Sequence, residues 1–324
     1  MHSIDELKNL VAKELSETSL KGSPKDLYDP ISYMLSLEAK RLRPVALLAA
    51  CELFDGDLKH AVMPALGIEV FHNFTLMHDD IMDNAPLRRS SQTVHTRWNQ
   101  NIAILSGDTM FVKACQLMMI TNDKVLRSVL ELFHETAIQV CEGQQLDMDF
   151  ETAADISIDD YLHMITYKTA VLLATSLKIG AIIAGADATN AEHLYEFGKN
   201  TGIAFQLKDD LLDVFGDDKK FGKLKGGDIV ANKKTFLLLK ALELATGDDK
   251  VKLNSWISNS SFNAAEKVHA VTEIYNRLGV EKLAEQEMSR HFEKAIFHLN
   301  QISTPDLKKS VLRGMAEKLM VREM

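Results

Sequence analysis

The pattern Asp-Asp-x-x-Asp occurs twice in this chain, each time inside apolar, helix-compatible sequence. The first copy lies in LMHDDIMDNAPLRR at 76–89, as Asp79, Asp80 and Asp83. The second lies in LKDDLLDVFGDDK at 207–219, as Asp209, Asp210 and Asp213. On a helix, residues i and i+4 share a face, so Asp79 aligns with Asp83 and Asp209 with Asp213. Like charges at that spacing destabilise a helix. Asn84-Ala85-Pro86 after the first copy and Gly216 after the second place both near helix C-terminal ends, where the macrodipole is already negative. A hard cation bound by carboxylate oxygens, with phosphate oxygens completing its shell, is the natural compensation. A solvated acidic face is the alternative reading, and matched apolar flanks on both copies weigh against it.

Composition narrows the fold class. With 324 residues, 46% of them hydrophobic, the chain can bury a sizeable core, and only 6 prolines favour an all-helical architecture. No Pro/Ser-rich linker or charge block divides it, so residues 1–324 read as a single domain. A net charge of −9 argues against a general nucleic-acid binder, whose footprint is basic. Cys51, Cys115 and Cys141 lack paired or metal-type spacing and are expected as reduced thiols in a cytoplasmic protein. No N-terminal signal pattern is present. The apolar stretch 170–186 is interrupted by Lys178, which favours a buried core helix over a membrane span.

Along the chain, Ser3-Ile4-Asp5-Glu6 has capping-box form. KRLRP at 40–44 puts Lys40, Arg41 and Arg43 around a helix start, with Pro44 in its first turn. That cluster reads either as a solvated loop or as an anion site. Residues 62–83 form one predicted helix about 30 Å long. His72 lies seven residues before Asp79 and returns to nearly the same face. Arg88 and Arg89 follow the first triplet, as partners for its carboxylates or as fork-shaped phosphate ligands. Gln144, Asp147, Lys168 and Thr169 lie on the next predicted helices, and Gln206 precedes the second triplet. The stretch 216–234 gathers glycines with Lys223, Lys225, Lys233 and Lys234, without the spacing of a nucleotide P-loop. Residues 235–324 read as five further helices.

Taken in order, KRLRP at 40–44, HDDIMDNAPLRR at 78–89, GQQLD at 143–147, Lys168-Thr169, FQLKDDLLD at 205–213 and GK…GGD…NKKT at 222–235 resemble the trans-isoprenyl diphosphate synthases, or polyprenyl synthetases. The resemblance implies an all-α fold of long, mostly antiparallel helices around a central cavity, usually as a homodimer, with three Mg2+ ions. It implies that Asp79, Asp83 and Asp209 are the main metal ligands, with Asp80, Asp210 and Asp213 in the same acidic sets. Arg88, Lys168, Lys223 and Lys233 match residues holding an allylic diphosphate. Lys40, Arg43, His72 and Arg89 match the pocket for isopentenyl diphosphate. Thr169 and Gln206 match groups near the reacting carbons. Glu38-Ala39 stands where the family often has Gly-Gly, and Asn99 where glycine is common.

The implied chemistry is short-chain prenyl transfer. The allylic diphosphate ionises, the isopentenyl double bond attacks the cation, and proton loss leaves a chain five carbons longer. Phe71, Phe74 and Thr75, on the helix before the first triplet, match positions that limit product length. Two phenylalanines there imply a product of fifteen or twenty carbons, and small Thr75 leans towards twenty. A terpene cyclase shares the fold but needs no second basic pocket. A non-catalytic subunit of a heteromeric synthase would tend to lose one triplet.

Overall fold

The computed structural model describes residues 1–18, 20–153, 155–216 and 226–321. Local signals set many helix ends. Ser3 and Glu6 form the expected capping box on α1 (Ile4–Glu17), and Ser157 with Asp160 forms a second on α8 (Ile158–Ile165). Between them lie α2 (Lys25–Ser36), α3 (Leu42–Leu53), α4 (Val62–Met82), the short α5 (Val94–Arg97), α6 (Gln100–Met118) and α7 (Leu126–Thr152). Then follow α9 (Val171–Ile183), α10 (Ala188–Phe215), the single turn α11 (Gly227–Val230), α12 (Phe236–Leu244), α13 (Gly247–Ser258), α14 (Ala264–Leu278), α15 (Val280–Gln301) and α16 (Asp306–Met320). The architecture is all-α, as the sequence predicts. The only sheet among the described residues is a hairpin of β1 (Leu87–Arg88) and β2 (Ser91–Gln92).

Asn99 shows how one departure from the family pattern is absorbed. Its backbone is extended, and its side-chain oxygen accepts from the Ile102 amide at 2.9 Å, capping α6.

The described chain divides into two compact units. The first comprises Met1–Glu135, Thr175–Tyr195 and Ile302–Leu312. In it α4 packs against α6, α3 and α1. The second comprises Thr136–Ala174, Glu196–Gln301 and Arg313–Met324. Its core gathers Phe150, Tyr161, Leu207, Leu211, Phe236 and Tyr275, all buried. The helical run Ile158–Ile183 is long and apolar enough to cross a membrane, but 67% of its most apolar window is buried inside the fold, as in a core helix.

His291 on α15 is buried, with Nδ1 2.9 Å from Asn200 Oδ1 and Nε2 3.3 Å from Glu287. Burial, reinforced by Arg290, pushes its pKa from 6.5 down to about 4. The folded state therefore favours the neutral ring. Its contribution is fully present above pH 6.5 and is lost as the pH falls through the folded value. Urea unfolding between pH 7 and 4 is expected to show stability falling through that window, by at most about 3 kcal/mol. His291→Gln is expected to flatten this part of the slope; an unchanged slope would assign the loss to other groups.

Candidate active site

The second acidic triplet opens onto a pocket of about 280 Å³ within the second unit. Asp209 and Asp213 line it together with Asp147, Lys168, Thr169, Gln206, Asp228, Lys233, Lys234 and Thr235. Asp210 is 5% exposed, and its two oxygens accept from Tyr161 Oη at 2.5 Å and from Gln206 Nε2 at 2.9 Å. Burial, with Asp228 nearby, pushes its pKa up to about 7. The middle aspartate therefore organises the pocket wall, while the i, i+4 pair is only half-buried. Asp213 also anchors the segment that begins at Gly226: its carbonyl accepts from the Gly226 amide at 2.8 Å and its carboxylate from the Asp228 amide at 3.0 Å.

Lys168 and Thr169 reach the pocket from a π-helical turn, Thr166–Ala170, between α8 and α9. Such turns insert one residue into the helical ladder and re-aim side chains. Two close backbone approaches flank it. A Cβ at Gly143 of α7 would lie 2.3 Å from the Lys168 amide nitrogen, and one at Gly202 of α10 would lie 2.6 Å from Ala170 Cα. Lys168 Nζ donates to Asp147 at 2.5 Å, and Thr169 Oγ1 lies 3.3 Å from Gln206 Oε1.

The first triplet closes α4 in the first unit. Asp80 is 1% exposed and accepts from Arg88 Nε at 2.7 Å, while its other oxygen is buried with no hydrogen-bond partner among the described residues. Burial raises its pKa although Arg88 opposes the shift. Asp79 is half-buried and Asp83 is exposed. The hairpin presents Arg88 and Arg89. Its two-residue turn, Arg89-Ser90, has φ of 53° and 62°, the left-handed geometry of a tight hairpin, with no glycine to relieve it. That conformation costs about 1–2 kcal/mol per residue.

Upstream, the basic cluster is folded in at Arg41 and Arg43 rather than solvated throughout. Arg41 has φ of 50°, pairs with buried Glu69, and donates to Leu35 O at 2.6 Å, so its role is to shape the turn. Arg43 Nη1 lies 3.1 Å from His72 Nε2, and its Nε is buried without a partner. Burial lowers the Arg43 pKa to about 10. Burial likewise holds His72 well below the usual histidine range, and the charges of Arg43, Arg89, Arg88 and Arg41 push it further the same way. Four guanidinium groups thus act on one neutral imidazole. Lys40 is exposed beside them.

Phe71 is fully buried and Phe74 half-buried on α4. They meet each other at 5.5 Å, and both meet Phe111 of α6, at 5.8 and 5.4 Å. Phe133 of α7 closes the cluster edge-on to Phe71 at 5.3 Å. Thr75 Oγ1 donates to His72 O at 2.8 Å.

Sequence reasoning gave no role to Tyr161, Phe111 or Phe133, and left Asp228 inside a motif. Only Asp228 carried a usable signal, a carboxylate beside glycines and lysines. Lys223 and Lys225 lie outside the described residues.

Among the described residues, no three acidic, histidine or cysteine side chains are already gathered as a metal-binding group. The donor set still suits magnesium, which takes one or two carboxylates and fills its shell with water and phosphate oxygens. The unpartnered oxygen of Asp80 and the unfavourable buried charge of Asp210 are both features that a nearby divalent cation would relieve.

A helical scaffold carrying paired carboxylates, ammonium and guanidinium groups defines a diphosphate-handling protein. The family model for polyprenyl synthetase matches residues 24–275, and the chain belongs to that family. It is 35% identical over 310 residues to the geranylgeranyl diphosphate synthase of Sulfolobus acidocaldarius, covering 94% of this chain and 93% of that one. A crystal structure of a geranylgeranyl pyrophosphate synthase superposes with a TM-score of 0.95 at 40% identity, over 100% of both chains. The Corynebacterium glutamicum geranylgeranyl pyrophosphate synthase, crystallised with isoprenyl diphosphate and magnesium, has a TM-score of 0.83 at 28% identity, covering 99% of this chain and 97% of that one.

Proposed function

We propose that this protein is a short-chain prenyltransferase that condenses isopentenyl diphosphate with an allylic diphosphate to give an all-trans product of twenty carbons. The observation that carries this reading is the pocket in which Asp209, Asp213 and Asp228 stand beside Lys168 and Lys233. Carboxylates and ammonium groups lining one pocket suit a polyanion delivered with divalent cations. Asp79 and Asp83 of one triplet, and Asp209 and Asp213 of the other, would hold magnesium, three ions in all. Bound magnesium would supply charge neutralisation for the departing diphosphate.

The remaining steps are assigned to the chain's own groups. Lys168, Lys233 and Arg88, with Lys223, bind the allylic diphosphate and stabilise its negative charge as the carbon–oxygen bond breaks. Arg43, Arg89, Lys40 and neutral His72 bind isopentenyl diphosphate and orient its double bond. Thr169 and Gln206 present polar oxygens beside the allylic carbons. The proton lost after carbon–carbon bond formation passes to the released diphosphate, as the family resemblance implies.

The match over 24–275 runs across both compact units, which supports treating 1–324 as one functional domain. Leu105 and Val112 of α6 and its C-cap Met119 recur every seven residues and are 58%, 57% and 56% exposed. Such a stripe returns to one helical face and supports a homodimer. Cys51, Cys115 and Cys141 form no disulfide, which suits a cytoplasmic protein. Two intact triplets and a separate guanidinium cluster weigh against a terpene cyclase or a non-catalytic subunit.

Incubation with magnesium, isopentenyl diphosphate and each of dimethylallyl, geranyl and farnesyl diphosphate tests the reading. Chromatography of the dephosphorylated products is expected to show a twenty-carbon alcohol. No condensation with any starter would overturn it.

Phe74→Ala tests the length limit. Removing the ring that stacks on Phe111 opens space towards Phe71, and one helical turn of about 5.4 Å is comparable to one isoprene unit. Products at least five carbons longer are expected; an unchanged distribution would remove Phe74 from the floor.

A further inference from the structure

Lys267 is a costly charge to which the proposed mechanism gives no part. It is 1% exposed. It is the fourth residue of α14, where the helix dipole disfavours a cation. No carboxylate among the described residues pairs with it, and burial holds its pKa below the ordinary lysine range. Its Nζ instead donates to Asn232 Oδ1 at 2.7 Å and to Val230 O at 3.2 Å, and lies 4.2 Å from the centre of the Phe262 ring.

Both acceptors belong to the segment that brings Asp228, Lys233, Lys234 and Thr235 to the pocket. Val230 ends α11, and Asn232 has φ of 53°, so the chain reverses sharply where the ammonium binds. The near end of the segment is tied to Asp213 through the amides of Gly226 and Asp228. The Lys233 amide then donates to Asp228 O at 2.9 Å, coupling the two pocket residues. Asn232 Nδ2 reaches Ile257 O at 3.1 Å, fixing the turn to α13. The segment is thus clamped by the second acidic triplet at one end and by Lys267 at the other.

We propose that Lys267 is a positioning residue for the diphosphate pocket, holding 226–235 so that Asp228 and Lys233 meet the polyanionic substrate in a fixed geometry. The proposal rests on the pocket being the diphosphate site. Its ammonium satisfies two acceptors at once, which methionine, of similar length but with no donor, cannot do. Hydrogen bonds from a charged donor are among the stronger ones, so their loss releases the turn without dismantling α14.

The test uses the full chain, with inorganic diphosphate plus magnesium as the binding probe. Lys267→Met is expected to weaken probe binding about tenfold or more and to speed amide exchange in 226–235 by a similar factor, with α13 and α14 unchanged. The KM for the allylic diphosphate is expected to rise while that for isopentenyl diphosphate stays put, and Lys267→Arg is expected to recover part of both losses. Asn232→Gly, which removes the shorter bond while keeping the left-handed turn accessible, should give the same loss of probe binding and carries the test where Lys267→Met fails to fold. Unchanged probe affinity, or exchange rising equally through α13 and α14, would overturn the proposal. A wild-type protein that forms no condensation product, yet binds the probe in a Lys267-dependent way, would sink the assigned activity and leave the positioning role standing.

Discussion

Asp209→Ala is expected to lower turnover by about 10²–10³-fold, the scale of losing one preorganised group that stabilises transition-state charge. Fold stability is expected to change far less than turnover, because Asp209 is only half-buried. Asp210→Ala should behave in the opposite manner. Its carboxylate is the acceptor for Tyr161 and Gln206, and stranding buried donors costs about 1–3 kcal/mol each. Turnover and urea unfolding on the two variants separate neighbouring residues of one motif. Full turnover by Asp209→Ala at saturating magnesium and substrate would remove it from the metal set.

Gly143→Ala is expected to harm both stability and catalysis. The added methyl would meet the Lys168 nitrogen at 2.3 Å, the Tyr167 carbonyl carbon at 2.7 Å and Lys168 Cα at 2.8 Å. All three are backbone atoms, so no flexible side-chain end can yield. Overpacking of this kind costs about 1–3 kcal/mol. Separating α7 from the π-helical turn also shifts Lys168 and Thr169, and a misplacement of about 1 Å can cost 10²-fold in rate. Glu142→Ala, on the exposed neighbour, serves as the control and should change neither quantity. Wild-type turnover and unfolding in Gly143→Ala would show that the approach has slack.

The sequence was most informative where local chemistry decides structure. The Ser3 capping box, Pro44 in the first turn of α3, the long α4 and the two triplets at helix ends all follow from spacing and propensity. It was silent where two distant segments decide together. The π-helical turn depends on Gly143 and Gly202 lying against it from helices far away in sequence, and neither glycine announces a partner. The inward turn of Asp80 and Asp210 depends on Arg88, Tyr161 and Gln206 being in reach, so three similar aspartates in a row conceal two environments. The Arg89-Ser90 hairpin lacks the Asn-Gly or Gly signature that would have marked it. Lys267 lay in one of the five helices read over 235–324, where spacing alone marks no partner for it.

Lys168 rests on Asp147, and Arg88 rests on Asp80. If both bind the diphosphate as proposed, each cation meets it with a resident anion already in place. Capture is an exchange of partners rather than the filling of a vacant charge. A singly charged competitor gains little by evicting a carboxylate, whereas a magnesium-loaded diphosphate offers the lysine or arginine a denser anion and the displaced carboxylate a cation. On the proposed assignment, the resting ion pairs would act as a valence filter against small anions, ahead of any contact with the hydrocarbon tail.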